Sequence, residues 1–353
     1  MNSSQYLPRS EFLFIDAVKA LAFQVIVFHH LSIYGPISRD ALEVWPSLIQ
    51  FLFDYGRYAV QVFLVLGGFL AMMSLPNLLK KNHFLKVIGN RYLRLAPAFI
   101  AAILFTALCA LITRKYLTDE FVGTSETLPQ FLAHIFLLHG ILGVESISAG
   151  AWYVAIDWQL YILIAGLLVI CRKKKLFVTV LAGLMFASYF YFSQDDLYEN
   201  WFIYFLSSYG LGVFAYLIVD KRDLNLVSFA KKIGVCILFV FLAGSGYQVS
   251  IKIYVALFSV IALIIFGQRN YFKTKPEYSS LIFILRWLSQ RSYSIFLIHY
   301  SLILIANLLY QELQLDSKSL SLVFMLITWA FSIFTGHLLY LLIERPTRKF
   351  QFH

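Results

Sequence analysis

Apolar residues run along this chain in long blocks, broken by short polar and mostly basic interruptions, rather than in the short amphipathic periods of a water-soluble protein. A helix that crosses a bilayer needs about 20 mostly apolar residues. The blocks that approach this length cover residues 12–33, 55–75, 95–113, 152–170, 176–193, 201–219, 233–248, 252–267, 292–310 and 320–343. They predict ten spans, of which the seventh and eighth are short. Within 114–151 lies a further apolar piece, Phe131–Leu142, too short to cross; it predicts an interfacial or re-entrant helix. The expected fold class is an all-α polytopic membrane protein. Residues 1–353 are expected to form one membrane domain, because no polar linker, repeat or appended soluble domain interrupts the pattern.

Composition agrees. Hydrophobic residues make up 60% of the chain and charged ones 14%, where a soluble protein is typically about half apolar and a quarter charged. The 34 Phe and 22 Tyr suit a surface that faces lipid. Cys109, Cys171 and Cys236 are far apart with no CxxC pair, which argues against disulfides and a zinc site. The first apolar block contains Lys19 and ends in His29-His30 without a small-residue cleavage site, so it reads as an uncleaved anchor.

The net charge of +10 would suit a nucleic-acid partner only if the basic residues formed one patch, and they do not. They cluster between blocks. With a cytoplasmic N-terminus, the inner segments hold Arg9; Lys80, Lys81, Lys86, Arg91 and Arg94; Arg172 to Lys175; Lys221, Arg222, Lys231 and Lys232; Arg269, Lys273, Lys275, Arg286 and Arg291; and Arg345, Arg348 and Lys349. The outer segments hold only Arg39, Arg57, Arg114, Lys115, Lys252 and Lys318. This bias predicts that both termini are cytoplasmic.

A few polar residues lie where apolar ones are expected, and a charge at the centre of a span costs about 2.5–3.5 kcal/mol on the insertion scale. The first block carries Asp16, Lys19, His29 and His30. Lys19 and His30 are eleven residues apart, three helical turns to within about 20°, so they share one face about 16 Å apart along the axis. His29 points about 80° away from Lys19. Asp16, three residues before Lys19, can neutralise it. The bland alternative is a snorkelling lysine with two interfacial histidines.

Arg91 and Arg94 stand at i, i+3 near the inner mouth of the third span, two guanidinium forks suited to phosphate or, equally, a positive-inside anchor. Asp157 lies just over a turn into the fourth span, at the depth expected for His30. A carboxylate there can orient the imidazole for general-base chemistry, or it can be one half of a structural pair. His299 and His337 read as buried packing or hydrogen-bonding groups. Gly67-Gly68 suits close helix approach. Gly210-Leu211-Gly212-Val213-Phe214-Ala215 fits a loose GxGxxA, but within an apolar span it carries no nucleotide-binding meaning. Walker A, HExxH and GxSxG patterns are absent.

Six segments together resemble the bacterial integral-membrane acyltransferase 3 family over most of the chain. They are Phe14-Ile15-Asp16 leading to Phe28-His29-His30; Val60 to Leu70; Arg91 to Pro97; Trp152 to Tyr161; Ser292 to His299; and Glu344-Arg345-Pro346. In that family a basic residue, ten others and a histidine lie in the first span, matching Lys19 and His30, and an RxxR motif matches Arg91 and Arg94. Three positions depart from the family's habit: Lys19 stands where Arg is common, Gly67 replaces Ser, and Asp157 replaces Glu.

The resemblance implies transfer of an acyl group, most often acetyl, from cytoplasmic acyl-CoA to a hydroxyl of an exported carbohydrate. The enzyme would sit in the bacterial cytoplasmic membrane. Acyl-CoA would be a co-substrate and no permanent cofactor would be needed. Membrane lipids and the carbohydrate acceptor are the implied partners, with no metal and no nucleic acid. On this reading Lys19, Arg91 and Arg94 hold the CoA phosphates, His30 is the catalytic base or itself carries the acyl group as a nucleophile, and Asp157 holds its ring. A transporter or flippase without acyl chemistry is the alternative, since a polar helix face within ten spans also suits a pore. The lack of clear inverted repeats weighs against it.

Overall fold

The computed structural model describes residues 13–220, 223–243, 251–266, 279–314 and 317–348. Of the basic residues used above, Arg9, Lys221, Arg222, Arg269, Lys273, Lys275 and Lys349 lie outside the described residues. All regular structure among the described residues is helical, as the apolar blocks require, because a lipid-exposed backbone must satisfy its own hydrogen bonds. In chain order the helices are α1 (Leu13–Leu31), α2 (Gly35–Val44), α3 (Pro46–Tyr55), α4 (Ala59–Lys81), α5 (Phe84–Thr113), α6 (Leu128–Ile135), α7 (Ala151–Ile170), α8 (Lys174–Phe190), α9 (Phe202–Val219), α10 (Leu224–Ala243), α11 (Ile251–Phe266), α12 (Ser279–Glu312) and α13 (Leu320–Leu339), which continues through a π turn at Tyr340–Glu344.

Among the described residues, nine helical stretches are long and apolar enough to cross a membrane, and α11 is shorter at 16 residues. Even so, α11 runs between the same two levels as its neighbours. Lys252 at its start donates to the Tyr204 hydroxyl at the start of α9 (2.5 Å). Phe266 at its end packs on Phe14 at the start of α1, with ring centroids 5.5 Å apart. Other contacts keep the two faces of the bundle distinct. On the face of the α1 start, Lys174 pairs with Asp223 (2.8 Å) and Ser289 donates to Asp16 (2.6 Å). On the opposite face Arg39 pairs with Asp119 (2.9 Å), Arg57 with Glu199 (4.0 Å) and Lys318 with Glu43 (2.5 Å).

Several helices extend beyond their apolar blocks. α5 starts at Phe84 rather than residue 95, and α12 at Ser279 rather than 292. Charges that interrupt the apolar pattern need not end a helix where folded partners satisfy them. In α12, Arg291 donates to His337 Nδ1 (2.8 Å) and to the Trp287 carbonyl (2.9 Å), with its guanidinium over the rings of Trp287 and Tyr340. α10 starts at Leu224 rather than 233 because Lys231 and Lys232 lie on its exposed side. The region before the second span, which carries no apolar block, forms the two short helices α2 and α3.

The segment 114–150 is re-entrant. α6 is opened by a capping box between Thr127 and Gln130, and it ends near Leu137, which has a left-handed φ of 57°. His134 stacks on Phe99 with centroids 6.5 Å apart, and the Tyr92 hydroxyl donates to the Ile135 carbonyl (2.8 Å). Tyr92 lies about 31 Å along α5 from Thr113, so the segment dips deep between the spans before returning to α7.

α4 and α9 cross with their backbones in close contact. A Cβ at Gly68 would strike the Tyr209 carbonyl, and one at Gly212 the Val65 carbonyl, so each glycine seats the other helix's backbone. Ser208 donates to Gln61 across the same crossing (2.6 Å). Gly212→Ala is therefore expected to lower stability by about 1–3 kcal/mol, the usual cost of overpacking. Gly183→Ala, with nothing within 4 Å of its added carbon, should be neutral; melting both variants checks this.

Candidate active site

α1, α5, α7 and α12, joined by the turn after α13, place the polar residues of the spans at three levels. At the first level, near the start of α1, Lys19 is half-buried, and the charges that bear on it are Arg94, Asp16, Glu344 and Arg348. Asp16 accepts from the Ser289 hydroxyl, which orients the carboxylate, and its charge still acts on Lys19. Glu344 is buried: the π turn swings it inward, where it accepts from Ser294 (2.5 Å) and binds Arg348. Two of the sequence motifs therefore meet here through one carboxylate.

At the middle level Arg91 pairs with Asp157 at 2.6 Å, inside the bundle. The guanidinium lies over the Tyr161 ring, 4.9 Å from its centroid. Gly67 makes room for this level, since a Cβ there would lie 2.9 Å from Tyr209 Cε2 and 3.0 Å from Asp157 Oδ1. Tyr293 donates to the Leu95 carbonyl (3.0 Å) and links the first two levels, because the charges that reach it are Glu344, Arg91, Asp157 and Arg94.

At the third level, toward the other face, His30 Nδ1 lies 2.7 Å from His299 Nε2, with the two rings stacked 4.9 Å apart. His299 Nδ1 lies 2.6 Å from the Phe296 carbonyl. A carbonyl only accepts, so this contact fixes the proton positions along the line. His299 carries its proton on Nδ1 and offers a lone pair on Nε2. His30 must then donate from Nδ1, which leaves the lone pair of its Nε2 outward. No hydrogen bond engages that nitrogen among the described residues. Tyr153 joins the second and third levels: it lies four residues from Asp157 on α7 and packs edge-on against Phe296, with centroids 5.8 Å apart.

This geometry corrects the expected pairing of Asp157 with His30. Asp157 faces Arg91, the structural-pair alternative, and the partner that holds His30 is His299. The physical reason is that α5 begins well before its apolar block and carries Arg91 inside the bundle, where an unpaired guanidinium would be costly. Arg91 and Arg94 consequently do not act as adjacent forks: Arg91 is taken by Asp157, while Arg94 bears on Lys19. His29 is turned away as expected, its Nδ1 donating to the Leu52 carbonyl (2.9 Å). Tyr209 is not singled out by the sequence; His299 reads there as a buried packing or hydrogen-bonding group and Glu344 as the end of the last span, and neither is placed in the site. For His299 a signal existed, since an ionisable residue within a span is the same criterion that selected His30.

A family model described as an acyltransferase domain matches residues 12–341, nearly the whole chain. Comparisons with characterised proteins and with solved structures gave no match.

Proposed function

The chain belongs to this acyltransferase domain family and is a multi-pass membrane acyltransferase, and from that premise we propose that it moves acetyl from cytoplasmic acetyl-CoA to a hydroxyl of an exported carbohydrate. The observation that carries this reading is the line from the Phe296 carbonyl through His299 to His30. It presents a lone pair on an imidazole whose tautomer is fixed, and it stands on the helix that carries Lys19 about 16 Å nearer the opposite face.

In the proposed reaction His30 Nε2 takes the proton of the acceptor hydroxyl as its oxygen attacks the thioester carbonyl carbon. The C–S bond then breaks, and the departing sulfur receives that proton from His30, giving an ester and free CoA. His299 keeps the imidazole in register and shares the transient positive charge through the Nδ1–H contact. Lys19 and Arg94 receive the donor's phosphates at the first level. Arg91 leaves the expected phosphate set, because Asp157 already compensates its charge. The cytoplasmic side is assigned to this level by the bias of basic residues toward its segments, which makes both termini cytoplasmic.

Lys19→Gln and Arg94→Gln should each weaken acetyl-CoA binding about ten- to a hundredfold, the effect of losing a charge-assisted contact of roughly 1.5–3 kcal/mol. Equilibrium binding to the purified variants tests this. Unchanged affinity in both would return the two residues to a role in membrane orientation.

A further inference from the structure

The middle level has two hydrogen-bonding atoms that neither the ion pair nor the proposed chemistry uses. Tyr209 is 0% exposed and its hydroxyl has no hydrogen-bond partner. Arg91 Nε is also buried without a partner, although its Nη2 holds Asp157. Both groups close on Asp157: Arg91 Nη2 holds one carboxylate oxygen at 2.6 Å, and the Tyr209 ring and the other oxygen both abut the place a Cβ on Gly67 would take, at 2.9 and 3.0 Å, so they form one cage. Buried polar atoms are nearly always paired, and two orphans in one cage point to a group that arrives from outside the chain. The cage is also rigid, since the Tyr209 backbone is seated against Gly68 and its ring against Gly67.

We propose that Tyr209 Oη and Arg91 Nε form a subsite for an uncharged carbonyl oxygen of the donor, an amide carbonyl of its pantetheine arm. This rests on the acyl-CoA reading above. The chemistry of the two atoms selects the ligand. An arginine Nε–H only donates and a tyrosine hydroxyl can donate, so the guest must supply an acceptor oxygen. Arg91 and Asp157 together carry no net charge, so the cage does not favour a phosphate, which the cations at the first level suit better. Its place fits as well. Arg91 is one turn from Arg94 on α5, and Asp157 is one turn from Tyr153, which touches the residue whose carbonyl holds His299. An arm that runs from phosphates near Lys19 to a thioester near His30 passes this level.

The test is equilibrium binding of acetyl-CoA and of S-acetylpantetheine, which has the same arm without the phosphates, to the full-length protein and two variants. Tyr209→Phe removes only the unpartnered hydroxyl, so its melting temperature should not fall. It should weaken both ligands by a similar factor, about three- to tenfold, as the loss of one neutral hydrogen bond gives. Lys19→Gln should weaken acetyl-CoA alone. Unchanged affinity of Tyr209→Phe for both ligands, with the parent protein binding acetyl-CoA, overturns the subsite and leaves the donor reading standing. A drop in melting temperature without a change in affinity makes Tyr209 a structural residue and also overturns it. A parent protein that binds neither ligand overturns the donor reading, and the subsite with it.

Discussion

Replacing His30 with alanine should reduce acyl transfer by about 10²–10⁴-fold, the usual contribution of a positioned acid–base group. The loss follows from its place in the line: His30 Nε2 is the nitrogen left with an outward lone pair once the Phe296 carbonyl has set the tautomer of His299. Folding should lose only about 1–3 kcal/mol, the cost of leaving the buried His299 Nε2 without its partner. Two companions give the result its meaning. His299→Ala leaves the base in place but frees its ring, so it should lose activity to an intermediate extent. His29→Ala removes a ring that faces the Leu52 carbonyl and should lose much less. Transfer rates of the three purified variants, with melting curves alongside, decide the assignment. A folded His30→Ala protein with near-normal turnover would falsify it.

The largest expected effect on stability belongs to Asp157. Asp157→Ala strands the Arg91 guanidinium inside the bundle, and breaking a buried pair from one side costs about 3–5 kcal/mol. About a quarter of the Arg91 side chain remains exposed, which places the expected value toward the low end of that range. Removing both charges, as in Arg91→Leu with Asp157→Leu, should recover much of the loss, because the penalty comes from the uncompensated charge rather than from a missing attraction. Melting curves of the two single variants and the double variant measure the coupling. A double variant as unstable as the sum of the singles would show that Arg91 and Asp157 act independently. Asp157→Asn, which keeps shape and hydrogen bonding, should fall between the parent and Asp157→Ala.

Much of this architecture was legible in the residue pattern, since a lipid environment leaves few alternatives to apolar helices. The block at 131–142 was recognisably too short to cross, and the glycines at 67 and 68 marked a close crossing. What the pattern concealed were the places where charges enter helices. Arg91, Arg286 and Arg291 look like the ends of apolar blocks, yet α5 and α12 pass through them, because a span tolerates a charge whose partner comes from another helix. Such partners are set by packing, and no spacing along one chain reveals them. Arg291 with His337 and Arg91 with Asp157 are both pairs of this kind.

The candidate site divides along the same line. Lys19 and His30 lie on one helix, so helical geometry was enough to relate them, and it also turned His29 aside. The place of Asp157 along its own helix follows from the sequence, but its partner does not, since α5 brings Arg91 to it. Pairing of His30 with His299 spans 269 positions. Glu344 looked like a polar helix end and is buried only because a π turn, which no residue type specifies by itself, rotates it inward.

The central claim, that one bundle holds the donor's phosphates at the level of Lys19 and transfers its acyl group at the level of His30, is tested most directly with sealed proteoliposomes of known protein orientation. Acetyl-CoA labelled in its acetyl group is supplied only on the face of Lys19 and Arg94, and polysaccharide from the parent cells only on the face of His30. The account predicts label on the polysaccharide and free thiol on the donor side, with both absent in His30→Ala vesicles. Label that reaches the polysaccharide only when donor and acceptor share one side, or equally well in His30→Ala vesicles, would contradict it.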